Sequence, residues 1–439
     1  MQQDPPIPDM PPPADRLTRW LGPPPGAREA RLIASCAILA ALLMTGLSIH
    51  RGLQGQTFMG RPFGGDFGQF YAVGRILNDG QAARLYSIPD QLNSYRRAVP
   101  EAPGDYHLVF ANAPVIAALF RPLALLDYRQ AFIVWLVISP LLFGLALHLL
   151  GLRPYGVPWL LAVSWVPFLF ETWFGGQIPV FGLLAFSLFF WLRQRGWLLA
   201  AGVALALASY KPTLVLVPAV MLLCGRQWRT LAGFSAGAAG MLALSAAVAG
   251  PNGLAGWFEA LQFYGNMVSG QFEALRRYKY LDAGSFMHLL FGSGTRLATL
   301  AGLTVSAALL ALLARAWWSA PRLDPRGQDL LWTATLALAP VVNLYVPIYD
   351  AVLLIPGAVL AARHLEGPSW RWWLTALYLS PWITQSAAEF LRFQFLTLVL
   401  IAFGWWCLRQ AGIRPQSAPA TQADVSGASP CAGSDGMLP

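Results

Sequence analysis

The chain has 439 residues, of which 56% are hydrophobic and only 12% charged, about half the charged share of an ordinary soluble domain. That balance excludes a single soluble globule. A ~30 Å hydrocarbon core takes roughly 20 residues of helix, so about twelve spans would absorb roughly half of the chain. The formal charge of +9 does not point to nucleic acid, because the 30 basic residues stand singly or in pairs between apolar runs. Cys36, Cys224, Cys407 and Cys431 include no CxxC spacing and read as free thiols.

In chain order, residues 1–27 form a proline-rich head that cannot bury enough surface to fold, and 411–439 a tail of small residues with the same expectation. Both are expected to be disordered and cytoplasmic. No small-residue cleavage motif follows the first apolar run, which begins near Leu32 and is expected to stay as an anchor. Within the expected transmembrane domain, 28–410, apolar segments fall at about 30–50, 129–150, 157–174, 178–192, 197–210, 212–224, 231–249, 296–318, 330–344, 350–362, 372–386 and 394–408. Several are short enough to be half-spans or re-entrant hairpins. The fold class is therefore an all-α polytopic membrane protein of about 10–12 transmembrane helices.

Arg153, Arg193, Arg195, Arg226, Arg229, Arg315, Arg322, Arg363, Arg371 and Arg409 all fall in short connections on one side, with Arg16, Arg19, Arg28 and Arg31. The positive-inside rule makes that side cytoplasmic and puts both termini there. Two long loops, about 51–128 and 250–295, are left outside. In the first, Phe67, Phe70, Tyr71, Gly74 and Leu77 recur at helical spacing opposite Gln69, Arg75 and Asn78; in the second, Trp257, Phe258, Leu261 and Tyr264 do the same. Both patterns predict either helices lying in the membrane interface or lids that only pack on the bundle.

Asp66, in Phe63-Gly64-Gly65-Asp66-Phe67-Gly68, follows the first span on the outer side. A carboxylate flanked by glycines, which let other groups approach the backbone, suits a general base, but Gly-Gly-Asp is equally a turn and helix cap. No P-loop, HExxH or Asp-x-Asp pair is present, which disfavours soluble nucleotide-sugar chemistry and a metal site. His107 and His288 stand alone in the outer loops. Glu171, Lys211 and Asp350 are ionisable residues at or inside spans, where charge is costly and functional by default. Lys211, between two short runs in Ser209-Tyr210-Lys211-Pro212, could face a phosphate at headgroup depth or simply snorkel.

Together these pieces resemble the family 87 glycosyltransferases of the membrane-embedded GT-C class, the type that uses polyprenyl-phosphate mannose. The ordered matches are Asp66-Phe67 with Tyr71 and Gly74; Leu85-Tyr86; Pro114 with Leu119 to Leu126, Ala131 and Trp135; Gly176-Gln177; Ala201-Gly202 leading to Lys211-Pro212; and Tyr349-Asp350. The resemblance implies a GT-C-like bundle, a lipid-linked sugar donor, transfer on the outer face, and a catalytic aspartate that maps onto Asp66. Ala339 to Asn343 depart from the family pattern, lacking Ser-Pro and histidine. The expected activity is transfer of a hexose, mannose by the resemblance, from polyprenyl phosphate to a glycolipid or glycan hydroxyl in the inner (plasma) membrane, without cofactor or metal. Lys211 is the candidate for the donor phosphate, and Tyr71, Gln177, Tyr349, Asp350 and His107 are candidates for substrate binding. A transporter or flippase of lipid-linked sugars is the alternative.

Overall fold

A computed structural model describes residues 22–58, 62–100, 102, 110–266 and 277–412. Among the described residues helices dominate, and the β pairing is one isolated bridge between Tyr280 and Pro347. The helices are α1 (Ala27–Leu53), α2 (Phe67–Asn78), α3 (Ile88–Ala98), α4 (Pro114–Phe120), α5 (Tyr128–Leu149), α6 (Val157–Ser164), α7 (Pro179–Gln194) and α8 (Leu198–Ala206). They continue with α9 (Pro212–Cys224), α10 (Trp228–Asn266), α11 (Ala283–Phe291), α12 (Arg296–Trp318), α13 (Pro325–Val342), α14 (Leu354–Ala362), α15 (Pro368–Leu391) and α16 (Phe395–Gln410).

Each of the twelve expected apolar segments falls on one of these helices. Among the described residues four helices are long and apolar enough to cross a membrane alone, Ala27–Leu53, Tyr128–Leu149, Trp228–Phe263 and Arg296–Arg322. A fifth is reached if α6 and the following π-helical turn Pro167–Phe174, bent by 47°, count as one span. The other expected spans are shorter or less apolar helices that complete the bundle. Thus the chain is an all-α polytopic membrane protein. The head and tail expected to be disordered lie almost wholly outside the described residues.

Local chemistry sets the breaks. Lys211 is extended (φ −128°, ψ 95°) between the 3-10 turn Leu207–Tyr210 and α9. Proline suits the first helical position and pushes its predecessor out of the helical region. In α10, Gly250 takes φ 67° just before Pro251, so two helices meet there where the sequence predicts a span to end.

The first of the two loop helices follows the packing alternative. Instead of lying on the membrane interface, α2 is buried on nearly every side, and Arg75 alone among Gln69, Arg75 and Asn78 is exposed. The reason is close approach: α3 lays the Tyr95 ring over Gly68, and α4 sets the Phe120 carbonyl against Gly74, where a Cβ would come within 2.8 Å of it. In the second loop Trp257 is likewise buried, and its indole donates to the Ala111 carbonyl at 3.1 Å.

Glycine also sets the tightest helix pair. A Cβ on Gly233 of α10 would stand 2.0 Å from the Leu199 carbonyl oxygen of α8, and one on Gly202 2.0 Å from that of Thr230. Small residues at such crossings let backbones touch in the absence of a hydrophobic drive between helices in lipid. Gly233→Ala should therefore destabilise the protein by ~1–3 kcal/mol. Gly240→Ala on the same helix, where an added Cβ meets nothing within 4 Å, should be neutral or stabilising. Thermal unfolding of the two variants in detergent checks the difference.

Candidate active site

The floor of the site is aromatic. Phe67, fully buried at the start of α2, lies with ring centroids 5.4–6.4 Å from Tyr71, Phe120, Tyr128, Phe132 and Trp135. The Tyr128 hydroxyl donates to the Phe63 carbonyl at 2.7 Å, and the Tyr71 hydroxyl to that of Leu126 at 2.8 Å. These bonds hold both ends of the Gly64-Gly65-Asp66 turn, so the backbone that presents Asp66 is fixed by packing on rings.

The wall is a second glycine turn. The π-helical segment Pro167–Phe174 is tied to α5 by the Trp173 indole, which donates to the Leu136 carbonyl at 2.8 Å. It ends in Gly175-Gly176-Gln177, and the Asp66 amide donates to the Gly175 carbonyl at 2.9 Å. A Cβ on Gly65 would sit 2.9 Å from that carbonyl oxygen, and one on Gly176 2.6 Å from the Gly64 oxygen and 2.7 Å from the Phe67 nitrogen. Both glycines have positive φ, 50° and 75°. Out of this contact the buried Gln177 donates from Nε2 to Asp66 Oδ2 at 2.5 Å. Asp66 stands at the cap position of α2, yet it is helical itself and makes no side-chain capping bond. The carboxylate is turned toward Gln177 and away from the helix end.

The third component joins at Lys211. Its ammonium donates to the carboxylate of Asp350 and lies 5.0 Å from the Tyr349 ring centroid. Asp350 is 4% exposed. A buried pair of this kind is costly to break from one side only, because the remaining charge loses its partner. Its hinge is held by the Ala113 amide on the Tyr210 carbonyl at 2.8 Å and by the Asn343 side-chain amide on the Thr213 carbonyl. Tyr345 and Tyr349 lie within electrostatic reach of both Asp66 and Asp350. Residues 66, 177, 211, 349 and 350, read from four separate segments, are thus gathered at one end of the bundle.

Above them the second outer loop closes in. Tyr280 pairs with Pro347, and its ring lies 4.5 Å from that of Tyr345. Gln394 donates to the Tyr278 and Tyr280 carbonyls, both at 3.0 Å. Asp282 caps α11 through Ser285, and burial holds its carboxyl above the usual range. Burial lowers both Arg277 and His288, and His288 is lowered further by the Arg277 charge.

Not every expected residue joins the group. Tyr71 is buried under Asp66 with its hydroxyl engaged by Leu126, and Glu171 accepts from Gln385 at 3.0 Å. His288 packs within α11, its ring 3.3 Å from the Thr299 hydroxyl. His107 lies outside the described residues. Tyr280, Tyr345 and Gln394 carry no signal in the sequence that sets them apart from other polar residues near span ends.

A model of glycosyltransferase family 87 matches residues 110–347, more than half of the chain. The chain belongs to glycosyltransferase family 87. No curated protein and no solved structure matches it. The matched segment contains Gln177 and Lys211, begins after Asp66, and ends just before Tyr349 and Asp350. In this glycosyltransferase the glycine contact positions the carboxylate. Gly176→Ala should cost ~1–2 kcal/mol for the left-handed backbone alone, and more for the clash with Gly64. Lower thermal stability, together with a loss of transfer beyond what the folded fraction explains, is the expected result.

Proposed function

We propose that this membrane glycosyltransferase moves one hexose, mannose by the family resemblance, from a polyprenyl phosphate to a glycolipid or glycan hydroxyl. Transfer takes place on the outer face of the inner (plasma) membrane, with both termini in the cytoplasm. The observation that carries the reading is the Gln177-held carboxylate of Asp66 in the same cluster as a half-buried lysine paired with a buried aspartate. Asp66 takes the acceptor proton while the acceptor oxygen attacks C1 of the sugar. The C1–O bond to phosphate breaks on the opposite face, its electron pair stays with the phosphate, and the anomeric centre inverts. Lys211 offers charge to the departing phosphate, a monoester that needs less neutralisation than a diphosphate, so the step runs without a metal. Gln177, Tyr349 and Asp350 set the positions of the carboxylate and ammonium, while Tyr71 acts from beneath through the turn.

Helix length supports a lipid-linked donor. The α9 helix has 13 residues and α7 has 16, roughly 20 and 24 Å of rise, short of a ~30 Å hydrocarbon core. With their arginine-bearing ends at the cytoplasmic surface, their other ends stop below the outer headgroups. A phosphate on a polyprenyl chain reaches that depth by sliding within the leaflet, whereas a water-soluble donor must leave bulk water.

Asp66→Asn keeps size and turn propensity but removes the base. Transfer from a synthetic polyprenyl-phosphate hexose to total lipid extract, assayed in EDTA, should fall ~10²- to 10⁴-fold, with donor binding and thermal stability unchanged. Wild-type rates in that variant would rule Asp66 out as the base.

Lys211→Ala should lower thermal stability by ~3–5 kcal/mol, because it strands the Asp350 carboxylate, whereas Lys211→Ala/Asp350→Ala should recover most of that loss. Transfer discriminates the roles. If the ammonium meets the phosphate, the double variant folds yet stays inactive, and Lys211→Arg retains more activity than Lys211→Ala. Recovery of both stability and transfer in the double variant would leave the pair a purely structural one.

A further inference from the structure

We propose that the end of the bundle opposite Asp66 carries a second binding site, for the phosphodiester headgroup of an anionic glycerophospholipid. There the C-terminus of α7 and the N-termini of α8, α10 and α13 border an open cavity of about 810 Å³, within the ~300–1,000 Å³ range of small-ligand pockets. Its lining includes Leu198, the first residue of α8; Trp228 to Thr230, the first turn of α10; and Pro325, the first residue of α13. Helix N-termini present unpaired amides and partial positive charge to whatever lies before them. No side chain caps α8, and the first turn of α10 carries no acidic residue, whereas Asp324 caps α13 by accepting from the Gly327 amide at 2.7 Å, so α8 and α10 supply the free helix ends.

The side chains add full charges. Arg193, Arg226 and Arg229 line the cavity with Asp329 as the one carboxylate among the lining residues. Asp329 is already engaged, one oxygen by Arg193 at 3.2 Å and the other by His364 at 3.0 Å. Arg226 and Arg229 make no ion pair among the described residues, which leaves the cavity positive, and Arg226 is held in place by stacking on Trp318 at 4.0 Å. A second observation points to a ligand. Thr230, 1% exposed, is among the lining residues, and its hydroxyl is buried without a hydrogen-bond partner.

The shared chemistry is a phosphate, and the surroundings favour one attached to a lipid. Trp228 at the cavity and Trp318 beside it are 59% and 60% exposed, as tryptophans are at a membrane interface. From the mouth, Leu199, Val203 and Leu207 run along α8 at a spacing of four, each at least 40% exposed, and make an apolar track for an acyl chain. Basic pockets between helices on the cytoplasmic side are where anionic headgroups bind. The site stands one α7 length, about 24 Å, from Gln177, and it does not depend on the chemistry at Asp66.

The test is native mass spectrometry of the full chain in mild detergent, incubated with phosphatidylglycerol, with phosphatidylcholine, or with inorganic phosphate. Wild type should retain one phosphatidylglycerol in preference to phosphatidylcholine. Arg226→Gln/Arg229→Gln should weaken retention at least tenfold, whereas Arg195→Gln/Arg322→Gln, which removes the same charge from exposed positions outside the cavity, should leave it intact. Equal loss in the two double variants, or equal retention of the two lipids, would overturn the site. Displacement of phosphatidylglycerol by millimolar inorganic phosphate would overturn the lipid assignment in favour of a soluble anion. Arg229→Gln alone, at an exposed position, carries the test if the double variant does not fold: unchanged retention counts against the proposal, and a threefold or greater loss supports it.

Discussion

Two glycine turns in backbone contact determine where the chemistry can occur. Gly64-Gly65 and Gly175-Gly176 belong to segments more than a hundred residues apart, and the Asp66 amide on the Gly175 carbonyl closes the contact. Side chains on either turn would hold the segments apart, since the distances left for a Cβ are 2.6–2.9 Å. With the backbones touching, Gln177 is delivered to the carboxylate without a flexible linker. A hydrogen bond from a buried amide costs little orientation entropy when both backbones are already fixed, and this is how a side chain becomes a preorganised one. The aromatic stack beneath Phe67 and the anchored π-helical turn both serve that contact from opposite sides. A π-helical turn inside a span is rare and is commonly found beside functional sites.

Charge is arranged on the same principle. A lone ammonium in a low-dielectric wall is expensive, and Asp350 removes most of that cost by pairing with Lys211. The pair is neutral as a whole, and a neutral pair tolerates burial where a lone charge does not. The Tyr349 face at 5.0 Å gives the ammonium a second, softer contact. The acid and the lysine come from different segments, so the pair also ties the α8–α9 hinge to the turn before α14.

The sequence made the composition-driven features plain and left the pairings hidden. Twelve apolar segments were visible because lipid demands continuous apolar runs, and the Lys211-Pro212 break because proline dictates its own neighbour's backbone. Asp66, Gln177, Lys211 and Asp350 each stood out as polar groups in costly places. Their assembly did not, since the Asp66–Gln177 bond spans 111 residues and the Lys211–Asp350 bond 139. The α2 helix allowed two readings, interfacial or packed, for a definite reason. One-sided polarity identifies a helix at a boundary, but Gly68 and Gly74 allow α3 and α4 to cover the remaining faces, and a helix covered by protein shows the same pattern as one covered by lipid. Tyr280 and Tyr345 gave no signal at all, because a tyrosine in an outer loop is ordinary until its partner is known.

Helix length ties the two ends of the molecule together. The helices that carry Gln177 and Lys211 are the short ones, and the same α7, α8 and α9 begin or end at the arginine-lined cavity on the opposite side. Lengthening any of them would raise one site relative to the membrane or bury the other. The Arg193–Asp329–His364 network fixes the lower end by joining α7, α13 and the turn after α14, and the Lys211–Asp350 pair fixes the upper end by joining the α8–α9 hinge to the turn before α14. Both networks therefore pin the segment Ile348–Leu365 from its two ends. The distance between the two networks along the bundle follows from that pinned segment, whose length is set by the short helices Ile348–Leu353 and Leu354–Ala362.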